Sequence, residues 1–263
     1  KSTDYFNTKL YTGNGSTNAV TGVGFAPDFV WIKERTSTSS NVLGTTVQGT
    51  TKRLQSDTTS AEGTLTNIFT SYDSDGFTHG NDAGVNESGQ TYASWNWKAN
   101  GAGSANTDGT INSTVSVNTT AGFSIVKYTG TDVAGDTVGH GLGAVPKMII
   151  LKRLVGSGYD WVVYHKDKTA GLYLNSTGIN NDSSSNNIWF NGTAPTSSVF
   201  SIGTDGRIGD ATNFIAYCFA EKTGYNKFGS YKGNGNADGS FIYTGFKPAF
   251  VIIKGAVSGD GDA

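Results

Sequence analysis

The sequence predicts an all-β fold of tandem sandwich modules, and three observations carry that prediction. A heptad recurs as PDFVWIK (Pro27–Lys33), PKMIILK (Pro146–Lys152) and PAFVIIK (Pro248–Lys254), each preceded by a Tyr-x-Gly turn that opens at Tyr11, Tyr128 or Tyr231. The tyrosine-to-proline spacings are 16, 18 and 17 residues, so a whole module repeats and not a lone strand. No window of helical length keeps apolar residues at i, i+3 and i+4, and β-branched and aromatic residues fill the apolar runs. Asn-Gly or Asp-Gly pairs begin at Asn14, Asp75, Asp108, Asp205, Asn234 and Asp238, marking turns between strand-length segments.

Aligning the copies orders the elements. The heptad is followed by a polar stretch and a short hairpin, Lys52–Gln55 in copy one and Gly171–Leu174 in copy two. A Phe-centred strand comes next, SDGFTHG (Ser74–Gly80) against SVFSIG (Ser198–Gly203). A closing strand ends the unit, YASWNWK (Tyr92–Lys98) against FIAYCFA (Phe214–Ala220). Module one then spans residues 1–98 and module two 122–226, while 227–263 begins a third that stops shortly after its heptad. Residues 99–121 between them are rich in Gly, Asn, Ser and Thr and read as a linker or an extended edge segment. The third copy lacks hairpin and closing strand, so its apolar face needs cover from copy two, a neighbouring chain or further residues.

The heptads add a packing requirement. Phe29-Val30-Trp31-Ile32 and Met148-Ile149-Ile150-Leu151 are apolar on both faces, unlike a strand with one side in water. One face fills the module core, and the other calls for an adjacent module or a sister subunit. The closing lysine is expected to snorkel outward and guard the strand end.

Composition narrows the function classes. Charged residues are 15% and the net charge is −2, which gives no nucleic-acid footprint and no polybasic membrane patch. No apolar run reaches the ~18–20 residues of a membrane-spanning helix. A single cysteine, Cys218, rules out an intrachain disulfide framework and, inside FIAYCFA, reads as a buried inert thiol.

Candidate chemistry is tested by asking whether it recurs between copies. His140 lies in a glycine-rich turn whose counterparts have no histidine, while His79 and His165 read as exposed strand-end residues. Asp73 and Asp75 form a weak calcium-like pair, but the rest of an EF-hand loop is missing and a plain Asp-Gly turn is the simpler reading; Asp260 and Asp262 are similarly ambiguous. Glu34, Glu87, Asp160 and Asp167 could serve glycoside chemistry, yet nothing in the sequence pairs them. Serine-hydrolase elbows, phosphate loops and HExxH or CxxC signatures are absent, so no catalytic residue, no metal ligand and no cofactor is expected. The aromatics Tyr159, Trp161, Tyr164 and Trp189 of copy two are the binding candidates, because such rings can stack on sugars; ordinary core or interface packing is the simpler alternative. Trp95 and Trp97 face one way on the closing strand and read as core.

The segments Tyr5–Ser16, Val23–Lys33, Ala93–Ala99, Ala121–Gly130, Val138–Lys152 and Tyr217–Gly235 resemble a repeat family frequent in predicted virion proteins of marine bacteriophages. That resemblance implies lectin-like (jelly-roll) β-sandwich modules in a tail fibre or surface appendage, on the extracellular surface of the particle. The two-sided heptads add the expectation of a homo-oligomer, and the resemblance implies other virion proteins and, for host recognition, a surface glycan as partners. It implies no catalytic residue. A free or enzyme-borne carbohydrate-binding module is the alternative, and it requires an exposed Trp161 or Trp189.

Overall fold

The computed structural model describes residues 1–168, 171–180 and 189–256. Its elements are nearly all strands, as the alternating and β-branched runs predict, and every pair of named strands is antiparallel. Copy one supplies β1 (Phe6–Thr12), β2 (Asn18–Thr21), β3 (Phe29–Glu34), β4 (Val42–Thr45), β5 (Lys52–Arg53), β6 (Gly63–Thr64), β7 (Ser71–Asp73), β8 (Gly76–His79) and β9 (Thr91–Trp97). A short helix, α1 (Ala83–Asn86), is started by Asp82, whose carboxylate accepts the Gly84 N–H. The strands form a sheet in the order β1-β9-β3-β4, faced by a smaller sheet β2-β8-β7.

The rest of the chain repeats this order. After β10 (Ser104–Asn106) and β11 (Ser113–Asn118) come β12 (Phe123–Thr129), β13 (Thr137–Gly139), β14 (Pro146–Arg153), β15 (Val162–His165), β16 (Gly171–Tyr173), β17 (Ile179–Asn180), β18 (Val199–Ser201) and β19 (Asn213–Ala220). The large sheet runs β10-β11-β12-β19-β14-β15-β16-β17, with β13-β18 as the small sheet. Within it, β12-β19-β14-β15 reproduces β1-β9-β3-β4: the closing strand sits between the first strand and the heptad strand.

Three apolar clusters explain the two-sided heptads. Val30 and Ile32 of β3 turn toward the small sheet and pack with Val20, Phe69, Phe77 and Tyr92. Ile149 and Leu151 of β14 do the same with Val138, Phe200 and Ile202. The opposite faces meet each other. Phe29, Leu43 and Trp97 of copy one share a middle cluster with Phe123, Ile125, Ile150, Trp161, Ile215 and Tyr217 of copy two. Phe29 is the joint, its ring centroid 4.5 Å from Tyr217 and 4.9 Å from Trp97. β19 shows the consequence: Phe214, Ala216 and Cys218 alternate into one cluster, Ile215, Tyr217 and Phe219 into the other, and no residue between Phe214 and Ala220 reaches water. The second face of the heptad is thus covered by the adjacent module of the same chain.

Of the two forms the sequence allows for residues 99–121, a linker or an extended edge segment, the chain adopts the edge. β11 pairs with β12 from Ser113↔Tyr128 to Asn118↔Phe123, β10 forms the outer edge, and Ile111 and Val115 are buried. Its apolar residues are sparse because one apolar row is enough for a strand covered on one face, which makes a polar composition look like linker. The heptad of the third copy forms no strand, although its Phe250 packs on the middle cluster together with Tyr225 and Phe228 from upstream.

Candidate functional site

Two of the binding candidates of copy two, Tyr159 and Trp161, lie on the segment that joins β14 to β15. Arg153, the last residue of that strand, donates Nε–H to the Val155 carbonyl and Nη1–H to the Gly206 carbonyl, both at 2.7 Å, and pairs with Asp210. Its guanidinium lies 4.0 Å from the ring centroid of Tyr159, a cation–π contact. Arg207 holds Asp205 at 3.0 and 3.2 Å and faces Asp160 at 3.8 Å. Asp160 in turn accepts from Asn175 Nδ2, and Asn175 Oδ1 accepts the Trp161 backbone N–H. The cations and carboxylates of this cluster pair with one another and lock its loops together.

The four aromatics occupy different environments. Trp161 and Trp189 are 0% exposed, which removes both rings as sugar-stacking platforms in this structure. Trp161 donates Nε1–H to the Gln55 carbonyl of copy one at 2.9 Å and lies against Tyr217. Trp189 packs edge-on to Tyr173 over Gly171, where a β-carbon would stand 1.7 Å from the indole. Tyr164 is half-buried with its edge on Phe190, and Tyr159 is half-buried beneath Arg153. Large rings close to a two-sided sheet become seam and core, because apolar area is worth about 25 cal/mol per Å² when removed from water.

Lys152 does not snorkel outward, whereas Lys33 and Lys254 are half-buried. Lys152 is 0% exposed, and its ammonium donates to the carbonyls of Tyr159 and, at 3.2 Å, of Thr59 in copy one. Lys33 likewise donates to the carbonyls of Ser37 and Ser39. The loop after each of the first two heptads turns carbonyls back to the strand end, where the lysine ammonium donates to them. Burial lowers the Lys152 pKa to about 8 against the favourable pull of Asp160.

The histidines separate into three cases. His140 is buried and satisfied: Nδ1 accepts the Leu142 N–H and Nε2 donates to the Thr196 carbonyl, both at 3.2 Å. That is a neutral tautomer, and burial lowers its pKa accordingly. His165 is half-buried, with Nδ1 accepting the Asp167 N–H at 3.3 Å. His79, expected at an exposed strand end, is 0% exposed and lies tilted against Tyr11 at 5.2 Å, and neither ring nitrogen has a hydrogen-bond partner among the described residues. Burial drives its pKa down to about 4. Strand parity is the signal that places it: Phe77 and His79 share the inward face of β8.

The carboxylates serve local structure. Asp75 accepts the N–H groups of Gly22 at 2.9 Å and Gly24 at 2.6 Å, while Asp73 accepts the Thr78 hydroxyl. Those backbone donors hold Asp75 below the usual carboxylate range. Glu34 accepts from Thr36 and Ser39, and Asp167 pairs with Lys166. Among the described residues no group of three or more His, Cys, Asp or Glu could hold a metal ion. Asp260 and Asp262 lie outside the described residues. Cys218 is a buried free thiol whose pKa burial raises.

A feature missed by sequence reasoning is a shallow polar depression of about 350 Å³ at the tip of copy one, lined by Gly15, Ser16, Thr17, Asn67, Thr70, Gly80 and Asn81. Buried Asn86 builds its floor. It accepts from the Asn14 N–H at 2.8 Å and from Asn18 Nδ2, and donates to Asn14 Oδ1, the Gly80 carbonyl and the Ser16 carbonyl. The Gly13-Asn14-Gly15 hairpin announces this place in the sequence, but the partners across it come from 67 to 81 and are invisible to local pattern. Its lining is neutral and hydrogen-bonding, without an aromatic floor.

A family model described as a domain of unknown function, DUF7483, matches residues 1–260. The chain belongs to that family. No curated protein and no solved structure matches it. The DUF7483 match extends over both large sheets and the described part of the third copy, so the sequence that opens a third module lies within the family's shared region.

Proposed function

We propose that this DUF7483 chain is a structural component of a phage virion, a tail-fibre or surface-appendage protein that assembles as a homo-oligomer and presents a host- or particle-binding surface. The observation that carries the reading is the double use of one framework. The strand order of the first large sheet recurs in the second, and the two sheets pack outer face to outer face through Phe29, Trp97, Phe123 and Tyr217. Apart from the heptad lysine, chemistry-bearing residues do not recur with it: His79, His140 and the paired carboxylates are each packed or hydrogen-bonded into local structure in one copy. A scaffold that multiplies modules and keeps variation in the loops fits an appendage, and the resemblance to phage virion repeats supplies the setting. The second apolar face of the heptads is the ground for expecting a homo-oligomer; in copies one and two that face packs within the chain, so it leaves no strand face there for a sister subunit.

A carbohydrate-binding reading draws on the polar depression of copy one, whose Ser, Thr and Asn groups suit a neutral hydroxylated ligand. The partners of the first reading are other virion proteins, with a host surface glycan as the contact made at loop tips. Immunogold labelling and copy-number mass spectrometry of purified particles test it, with sedimentation of the isolated protein. Labelling at fixed appendage positions with a defined oligomer is expected. A monomer that is absent from particles and binds a glycan tightly overturns the structural reading.

A further inference from the structure

Residues 227–256 repeat the opening of the module and are half docked. Aligned on the heptad, Phe250 stands where Phe29 and Met148 stand, while Val251 and Ile253 match Val30 and Ile32 of copy one and Ile149 and Leu151 of copy two. Phe250 already occupies the middle cluster, its ring 5.4 Å from Trp97, 5.6 Å from Trp95 and 6.0 Å from Phe6. Phe228, aligned with Ile125, packs on the same cluster, and Lys254 donates to the Ser176 carbonyl much as Lys33 and Lys152 hold theirs. The core-facing pair is bare. Val251 and Ile253 are 62% and 55% exposed, whereas all four of their counterparts are 0% exposed.

The complete copies show what covers that pair. In each, the closing strand lies between first strand and heptad strand and hydrogen-bonds both: β9 pairs with β1 and β3, and β19 with β12 and β14. In the third copy the segments aligned with first strand and heptad strand are both present in the sequence, and neither forms a strand or pairs with a named one. Without a middle strand they have no ladder partner, so neither becomes regular until one is supplied.

We propose that residues 227–256 are a strand acceptor, which takes up a closing strand of the repeat's own pattern between residues 226–232 and 248–254, antiparallel to both, and thereby builds a third module. The occupant must be apolar on both faces, like Phe214–Ala220, because one face meets the cluster around Phe250 and the other covers Val251 and Ile253. A one-sided strand such as β11 would press Ser and Asn into one of those layers at the cost of unpaired polar groups. This is β-strand addition with a specified side-chain pattern, and it does not rest on the virion reading.

The test is hydrogen exchange read by mass spectrometry on the full chain, on the chain with a second copy of residues 153–224 appended after Ala263, and on the full chain mixed with a synthetic peptide of residues 211–222. Slowing of amides 226–232 and 248–254 by tenfold or more in the fusion or with the peptide is expected. Val251→Asp with Ile253→Asp should abolish it while leaving exchange in β1–β19 unchanged, since both side chains are exposed in the chain itself. Unchanged exchange in both formats, or slowing that survives the double substitution, overturns the proposal; the peptide format covers a fusion that fails to fold.

Discussion

Replacing His79 with phenylalanine isolates the cost of protonating an imidazole held in an aromatic pocket. The ring lies 5.2 Å from Tyr11 and 5.8 Å from Phe77, is fully buried, and has no hydrogen-bond partner on either nitrogen among the described residues, so its charged form is destabilised in the folded state. Its folded pKa of about 4 lies below the value of 6.5 for a free histidine. Above pH 6.5 both states are neutral and the group costs nothing. Between 6.5 and 4 the unfolded chain binds a proton that the folded chain refuses, so stability falls as pH falls. Integrating that difference from pH 7 to pH 5 gives a loss of about 2 kcal/mol, or about 4–8 °C in Tm for a chain of this size. His140 and His165, also lowered by burial, add to the acid loss, and Asp28, whose carboxyl is raised by burial, opposes it. All three are common to wild type and His79→Phe, so the difference between the two proteins reports His79. The assay is denaturant unfolding at pH 7, 6 and 5. His79→Phe should lose about 2 kcal/mol less than wild type over that range, whatever the added ring volume costs at pH 7. Parallel pH dependences for the two proteins refute the reasoning.

Lys152 gives the alkaline counterpart. Its folded pKa of about 8 lies below the free-lysine value, so the unfolded state holds more protons between the two and stability should rise by about 1–2 kcal/mol from pH 7.5 to 9.5, below the ordinary tyrosine range. Lys152→Met should flatten that rise in denaturant titrations, and an unchanged rise assigns it elsewhere. Phe29→Ala removes the ring that joins the two large sheets and should cost about 3–5 kcal/mol, turning one cooperative unfolding transition into two in calorimetry; a single transition within 1 kcal/mol of wild type would show that the seam is not shared. Gly171→Ala places a methyl group 1.7 Å from the Trp189 indole and should destabilise by about 2–3 kcal/mol. Gly49→Ala, which has open space but a φ of 92°, should cost only about 1 kcal/mol of backbone strain in the same unfolding assay.

The sequence by itself determined the all-β class and the recurring order of first strand, heptad and closing strand. Those follow from local quantities: side-chain period, β-branching and turn dipeptides act over a few residues and are written in order along the chain. It also determined that the heptad has two apolar faces, each needing cover. Tertiary structure alone decided what covers them. Val30 and Ile32 meet a small sheet, while Phe29 meets Tyr217, a residue 188 positions away. The same kind of non-local pairing decides that residues 104–118 form two strands and not a linker, puts Trp161 and Trp189 in the core, and closes Asn86 beneath the polar depression. Parity within β8 could have placed His79 on the inward face, but only packing shows that its nitrogens meet no partner. Periodicity states which faces must be buried; which distant surface buries each one is a property of the folded chain.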